Sequence, residues 1–485
     1  MKKELEKFLA NYRNKKIHVI APSGTEGSGS LIFFDKLGFE NIFLHDFSEE
    51  KEFKKNFHST HISYSAKERV EIFEKIKKYP VNFRENYLKG IEEANLIVIP
   101  QSFFLHSENT FKCDSNKKFL FIKEKKIPFI TISEMYLKFS YKPTIGVTGT
   151  NGKTTTFRLI KKILESFGKK VLSGSNDRGS PQNLDKITEP EKYDFLLLEL
   201  SHRQLQFLDI SPKISGITYL GKDHLDECKD IEEYHSWKKN IFKFQKKSDK
   251  LWLNFDDKKS LKLLEKENIK SNVFFFSIKN NVEKGVFAKG NLVFFKNKNF
   301  EKEIFNLENF NLLGDFNKSN LLLSIGISIS ALGIKNIKKD VLEKSIFSFK
   351  PPENRLQILL KLENKTFFNN IASRTPDSTE KALECIGRSL VIVGGETKNL
   401  ELDSLAKKIK ETESKLIFLP GSGSIELEKK LSSKEIFSSE KNLENALKKS
   451  LKSEFKNILI SPTFTGFTRF LEGKTLEEIV KKAFK

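Results

Sequence analysis

The stretch TIGVTGTNGKTTT, residues 144–156, sets three glycines and one lysine between an apolar run and a helical pattern. Those residue types at that spacing suit phosphate. Backbone N–H groups freed by Gly149 and Gly152 can turn toward phosphate oxygens, and the start of the following helix adds its dipole. Lys153 can reach the β- and γ-phosphates, and the hydroxyl of Thr154 can hold Mg²⁺. The spacing, GxxGKT, is shorter than GxxxxGK[ST]. The ordinary alternative is a Gly-rich strand–helix turn without a ligand. Strand, loop, lysine and threonine all in register favour the phosphate loop. Glu199 ends an otherwise apolar strand, where an acid is costly unless paired or metal-bound; beside such a loop, metal ligation is the expectation. Residues 221–230, GKDHLDECKD, gather Asp223, His224 and Asp226 just after ISGITYL, at the strand end where α/β proteins place ligands.

The elements that must carry these groups alternate between strand and helix. Residues 16–46 predict a strand (17–20), a Gly/Ser turn, a helix and a second strand (42–44) ending near Asp46. This is a nucleotide-binding βαβ pattern whose glycine spacing departs from GxGxxG. Strands are also predicted at NLIVIP (95–100) and PFITIS (128–133). TTTFRLIKKILESFG places Leu159, Ile160, Ile163, Leu164 and Phe167 on one helical face, stopped by Gly168. YDFLLLELS reads as a parallel strand buried on both faces, and DKLWLNFDD as another strand. Beyond the prolines of KPPENRLQIL come SLVIVGG, KLIFLPG and NILISP, separated by helical patterns, which again implies a parallel sheet. TLEEIVKKAFK predicts an amphipathic helix.

Composition narrows the function. The 485 residues exceed one ordinary core, so several domains are expected. The N-terminus lacks the apolar core of a signal peptide. LLLSIGISISALGI is too short and too rich in Ser and Gly to span a bilayer, which takes about 20 residues. Three cysteines without a CxxC indicate neither a disulfide framework nor a zinc site. The expectation is a cytoplasmic protein without membrane insertion. The net charge of +21 is spread along the chain and interleaved with Glu, so it reads as solvated helix faces rather than a nucleic-acid footprint. No nucleic-acid partner is expected.

GVTGTNGKTTT, LLLELSHRQL, GKDHLDECKD, LNFDD, LLGDFNKSNLLLSIGIS and VIVGGETK follow one another in the order, and at roughly the spacing, of the Mur ligases. The chain resembles that family over nearly its whole length. It is most similar to members that join D-glutamate to UDP-N-acetylmuramoyl-L-alanine, through the short Gly/Ser start, SNDRGSP (175–181) and the closing SPTFTGFTRF. The resemblance implies an α/β protein of three domains, each a mainly parallel sheet with flanking helices. These are a Rossmann-like UDP-sugar domain (1–140), a central P-loop ATPase (141–349) and a Rossmann-like amino-acid domain (350–485), working as a monomer. It implies that ATP phosphorylates the carboxylate of the nucleotide-linked substrate and that the amine of D-glutamate displaces phosphate. It implies ATP contacts from Gly149, Thr150, Asn151, Gly152, Lys153, Thr154 and Thr155. Asn317 and Asn320 match the adenine side, and Arg355 faces ATP from the third domain. Mg²⁺ would be held by Thr154, Glu199, His224 and a carbamylated Lys238, with Lys153, His224 and Lys238 acting in catalysis. Asn176, Ser201, Arg374 and Lys398 match substrate positions.

The departures from the family pattern cluster on the acceptor side. The family's His-Asn and His-Arg pairs are here Phe316-Asn317 and Asn354-Arg355. Its NDSKATN is NNIASRT (369–375), which loses an Asp to Asn370 and a Lys to Ala372 and gains Arg374. A serine of the closing motif is Gly466. Lys398, in GGETK, keeps its match. The ATP half is intact and the acceptor half rebuilt. Arg374 can compensate for the lost lysine, since a guanidinium holds a carboxylate bidentately. Two readings stay open: a D-glutamate ligase, or a nucleotide-binding relative with another acceptor or without that activity.

Overall fold

The computed structural model describes residues 3–104, 122, 124–175, 181–221, 228, 230–310, 312–362, 364–397, 400–471 and 475–484. Three sheets organise it. The first has five short strands: β1 (Ile17–Ile20), β2 (Ile42–His45), β3 (Val81–Asn82), β4 (Leu96–Val98) and β5 (Phe129–Ile130). All are parallel, in the order β3-β2-β1-β4-β5. The doubly wound order follows from the βαβ pattern at residues 16–46, with the helix Thr25–Lys36 crossing between β1 and β2. PFITIS yields a shorter strand than its pattern predicts. Thr131 accepts a hydrogen bond from the Glu134 N–H and caps a helix, Ile132–Phe139, that takes over the last apolar residues.

The second sheet carries the phosphate-loop sequence. Its strands are β6 (Thr144–Thr148), β7 (Val171–Gly174), β8 (Phe195–Glu199), β9 (Ile214–Ile217), β10 (Lys250–Asn254), β11 (Asn272–Ser277), β12 (Lys284–Lys289), β13 (Leu292–Asn297) and β14 (Phe300–Asn306). The order is β14-β13-β12-β11-β10-β9-β6-β8-β7. Pairing is parallel from β7 to β12 and antiparallel for β13 and β14. Every residue of β6 and β8 is buried, as the unbroken apolar run of β8 requires of a strand covered on both faces. On one face lie the helices Lys153–Ser166 and Asp315–Leu332. The first buries Leu159, Ile160, Ile163 and Leu164, while Phe167, just past its end, is only partly buried. The second contains the apolar run LLLSIGISI, whose residues from Leu321 to Ile329 are all buried in this core. Among the described residues no helix is long and apolar enough to cross a membrane. The other face of the sheet shares a continuous core with the first sheet, from Leu5 and Phe34 through Tyr136 to Leu196 and Leu251.

The third sheet comprises β15 (Gln357–Leu362), β16 (Lys365–Asn369), β17 (Leu390–Gly394), β18 (Lys415–Phe418), β19 (Ile436–Ser439) and β20 (Asn457–Thr463). The order is β15-β16-β20-β17-β18-β19, parallel except for β15. Two apolar clusters cover its faces, one with the closing helix Leu476–Ala483 and one with the helices Pro376–Ile386 and Asp403–Glu411. The chain is thus a mixed α/β protein built on three mainly parallel sheets.

Candidate functional site

The C-terminal ends of β6, β8 and β9 converge, and the loop after β6 rises between the other two. Its shape is fixed by side-to-side bonds. The Thr150 N–H donates to the Tyr219 carbonyl (2.7 Å), and the Thr218 hydroxyl donates to the Asn151 carbonyl (2.5 Å). The Thr148 hydroxyl donates to the Leu200 carbonyl (2.7 Å). Gly152 takes φ +87° at the N-cap of the helix Lys153–Ser166 and provides no side-chain cap; a helix N-terminus of this kind suits an anion. A Cβ at Gly152 would lie 2.3 Å from Asn320 Oδ1, so the residue must be glycine both for its backbone and for its neighbour.

Below the loop two ammonium groups meet one carbonyl. Lys153 Nζ donates to the carbonyls of Gly149 (3.0 Å) and Thr150 (3.1 Å), and Lys238 Nζ donates to Gly149 O (3.1 Å) from the helix Ile231–Lys243. Lys238 is buried and sits 4.4 Å above the Tyr234 ring. Beside them Glu199 is buried at the end of β8. Its two oxygens accept from the hydroxyls of Thr154 (2.9 Å) and Ser175 (2.9 Å). Thr154 in turn accepts from Arg355 (3.4 Å), which arrives from the start of the third sheet. Arg355 stands between two left-handed residues, Asn354 at φ +67° and Leu356 at φ +48°. Such backbone strain is tolerated where the surroundings fix it, and here it brackets a residue that reaches Thr154 from the third sheet.

Above the loop a cavity of about 510 Å³ opens between the second and third sheets. Asn151, Gly152, Thr155, Asn317, Asn320 and Arg355 line it. Asn317 donates to the Leu313 carbonyl (2.7 Å) and accepts from Asn320 (3.5 Å), so the two amides hold one another at the start of the helix Asp315–Leu332. The opposite wall comes from the segment 370–385, including Asn370, Ala372, Lys381 and Cys385. Burial, with Glu384 and Asp315 nearby, pushes the Cys385 thiol up to about 12, so it is a wall group and not a thiolate nucleophile. Behind this wall a buried set of hydroxyls links strand and helix. Thr379 bonds Ser461 (2.8 Å), Thr463 (2.8 Å) and Ser373 (3.1 Å), and the Asn370 amide donates to Ser461 (3.0 Å).

The middle of the chain, residues 147–328, matches the family model of the Mur ligase middle domain. A UDP-N-acetylmuramoylalanine--D-glutamate ligase from Thermoanaerobacter sp. is 30% identical to it over 437 residues, covering 87% of this chain and 92% of that one. The chain belongs to the Mur ligase family. Solved structures agree in fold. A UDP-N-acetylmuramate-alanine ligase from Thermotoga maritima superposes with a TM-score of 0.56 at 14% identity, over 97% of this chain and 99% of that one. A MurF ligase from the same organism, in complex with ADP, superposes with a TM-score of 0.53 at 15% identity, over 85% of this chain and 92% of that one. Mur ligases are ATP-dependent enzymes that form amide bonds with release of ADP.

Within this Mur ligase, the residues expected around ATP fall into two adjacent groups, those lining the cavity and those bonded beneath the loop. Ser201 lies elsewhere, between the first and second sheets. It caps the helix His202–Leu205 with Gln204 in a capping box, and its hydroxyl donates to Gln101 Oε1 (2.9 Å). Glu26 closes this group by accepting from the Gln101 N–H (2.7 Å) and the Gln204 amide (2.7 Å). Burial raises the Glu26 carboxyl above its usual range against the pull of those bonds. Arg374 is exposed and is not among the described residues that line the cavity. Gly466 takes φ +77°, a conformation that the serine of the family motif adopts only with strain. Asn176, His224 and Lys398, with Asp223 and Asp226, lie outside the described residues. Among the described residues no cluster of His, Cys, Asp and Glu has the makings of a metal site by itself. Sequence reasoning did not single out Tyr219, Asp377 or Lys381. The last two carry a signal, an acid and a lysine four apart just after a proline that starts a helix.

Proposed function

We propose that this chain is an ATP-dependent ligase that joins D-glutamate to UDP-N-acetylmuramoyl-L-alanine in peptidoglycan precursor synthesis. The observation that carries the reading is the seating of the phosphate loop against a cavity walled by the third sheet, with Arg355 reaching Thr154 across it. The name of the Thermoanaerobacter relative supports the substrate pair. Acting on ATP and a nucleotide-linked precursor, the protein works in the cytoplasm as a monomer, with no nucleic-acid partner.

The residues fit both groups the reaction uses. At Gly152 the loop keeps a cradle that a Cβ would fill. Glu199, with the hydroxyls of Thr154 and Ser175 as partners, offers the oxygen donors that hard cations take. Thr154 and Glu199 would hold Mg²⁺, joined by His224 and a carbamylated Lys238. When bound, ATP with Mg²⁺ supplies the phosphoryl group that turns the substrate carboxylate into an acyl phosphate, from which the D-glutamate amine displaces phosphate.

The chain's own groups do the positioning. Lys153 exchanges its bonds to the Gly149 and Thr150 carbonyls for phosphate oxygens, and Arg355 adds a second cation from the start of the third sheet. Asn317 and Asn320 present amides to the adenine. Asn176 is assigned to the UDP-sugar and Ser201 to a further substrate position, while Lys398 and Arg374 are assigned to the D-glutamate carboxylates. A second reading, ligation of a different amino acid, draws on Ala372 in the wall and Arg374 exposed beside it.

The test is phosphate release by the purified protein. It should require both UDP-N-acetylmuramoyl-L-alanine and D-glutamate, and Lys153→Ala should lower kcat by about 100-fold or more with the fold retained. Faster turnover with another amino acid selects the second reading. Release that needs neither substrate, or full activity in Lys153→Ala, overturns the assignment.

A further inference from the structure

The helix Pro376–Ile386 touches the phosphate loop at one point and the residue that supports it at a second. Asn151 Nδ2 donates to Asp377 Oδ2 at 3.2 Å. One turn later the Lys381 ammonium sits 3.6 Å from the centroid of the Tyr219 ring, whose residue holds the Thr150 N–H through its carbonyl. Lys381 also pairs with Asp377 at 3.5 Å, in the favoured orientation with the acid N-terminal to the base. Tyr219, Lys381 and Asn151 all line the cavity.

This arrangement has an electrostatic consequence. Asp377 belongs at the first turn of its helix, where the dipole favours an anion. The same position holds a carboxylate against the loop that, on the reading proposed above, receives a triphosphate. Two anions there repel unless a cation sits between them. Lys381 meets both requirements: it pairs with Asp377, and it faces the cavity from the wall of the third sheet.

Resting on the assignment of this cavity to ATP, we infer that Lys381 is a positioning residue for the nucleotide: it neutralises Asp377 so that the third sheet stays docked on the phosphate loop when the triphosphate is bound. The role belongs to the pair and not to a packing contact of Lys381 alone. Removing only the lysine exposes the nucleotide to Asp377. Removing the carboxylate charge as well takes the repulsion away.

Calorimetric titration with a non-hydrolysable ATP analogue and with ADP tests this on the full chain. Lys381→Met should weaken the ATP analogue about tenfold or more, and ADP less, because the γ-phosphate adds charge. Lys381→Arg should bind as wild type. Asp377→Asn placed in the Lys381→Met background should restore most of the loss, which a structural role for Lys381 would not allow. If wild type binds neither nucleotide, the ATP reading itself fails. If wild type binds and Lys381→Met binds equally well, or if the double variant is no better than Lys381→Met, the inference about Lys381 is wrong and the ATP reading stands.

Discussion

Replacing Gly152 by alanine tests the loop at its narrowest point. The left-handed φ of +87° costs an L residue about 1–2 kcal/mol. The new Cβ would also lie 2.3 Å from Asn320 Oδ1 and 3.0 Å from its Cγ, well inside contact distance. Asn320 is buried and linked to Asn317, so it must leave its rotamer at a cost of about 1 kcal/mol. Alanine recovers up to about 1 kcal/mol by restricting the unfolded chain. The net loss is about 2 kcal/mol, which lowers the melting temperature by about 4–8 °C for a unit the size of the central sheet and its helices. Displacing Asn320 should also raise KM for ATP while KM for the amino acid holds. Thermal melting and initial-rate kinetics read the two effects separately. A melting temperature and KM for ATP both equal to wild type would show that Gly152 is not held as described.

Lys238→Ala should abolish turnover, and short carboxylates should restore part of it if a carbamate on Lys238 serves the metal; no recovery at any carboxylate concentration counts against the carbamate. Arg374→Ala should raise KM for D-glutamate at least about tenfold and leave KM for ATP unchanged; unaltered D-glutamate kinetics would place the acceptor elsewhere. Three buried histidines predict acid sensitivity. His18 and His45 share a 2.8 Å bond between β1 and β2, and burial lowers them to about 4 and about 3, with Lys16 adding to the first and His18 to the second. Burial lowers His61 to about 4 against a bond to the Phe57 carbonyl. These rings stay neutral when folded but take protons at the ordinary value of 6.5 when unfolded. Their stabilisation is therefore complete above that value and is lost as pH falls toward 4, by at most about 1.4 kcal/mol per histidine per pH unit. Melting curves should show this fall, and His18→Gln with His45→Gln should flatten it; a wild-type melting temperature that rises on acidification refutes the sign.

Some of this was legible because its causes are local. The phosphate loop is contiguous, so its glycines, Lys153 and Thr154 declare themselves without a fold. The strand β8 shows itself as an apolar run ending in an acid, because a strand buried on both faces has no polar alternation to hide it. The wall facing the loop was not legible. Asp377, Lys381 and Tyr219 meet only because the third sheet docks on the second, a pairing far apart in sequence. The strain at Leu356 was hidden too, since leucine does not announce a left-handed backbone as glycine, or more weakly an asparagine such as Asn354, would. PFITIS overran its strand because a threonine cap is a stronger local signal than the apolar residues after it. Ser201 has the reverse lesson: SHRQ already spells a capping box, and its hydroxyl is used there and on Gln101.

Three contacts from the third sheet land on the loop and its immediate support. Arg355 bonds Thr154, Asp377 accepts from Asn151, and Lys381 lies on Tyr219, which holds Thr150. Through these contacts the loop and the docked third sheet touch, so a ligand that favours one arrangement of the loop favours, by linkage, the docking compatible with it. Lys153 sits at the centre of this linkage. Its bonds to the Gly149 and Thr150 carbonyls keep the loop closed on itself, and Lys238 shares one of those carbonyls. A phosphate that draws Lys153 away frees the Thr150 carbonyl, on the same residue whose N–H is tied to Tyr219. Binding energy gained at the loop thus reaches the wall that the third sheet contributes to the cavity. An active site divided between two sheets needs such a route if an activated carboxylate is to form only when the second wall is in place to keep water out.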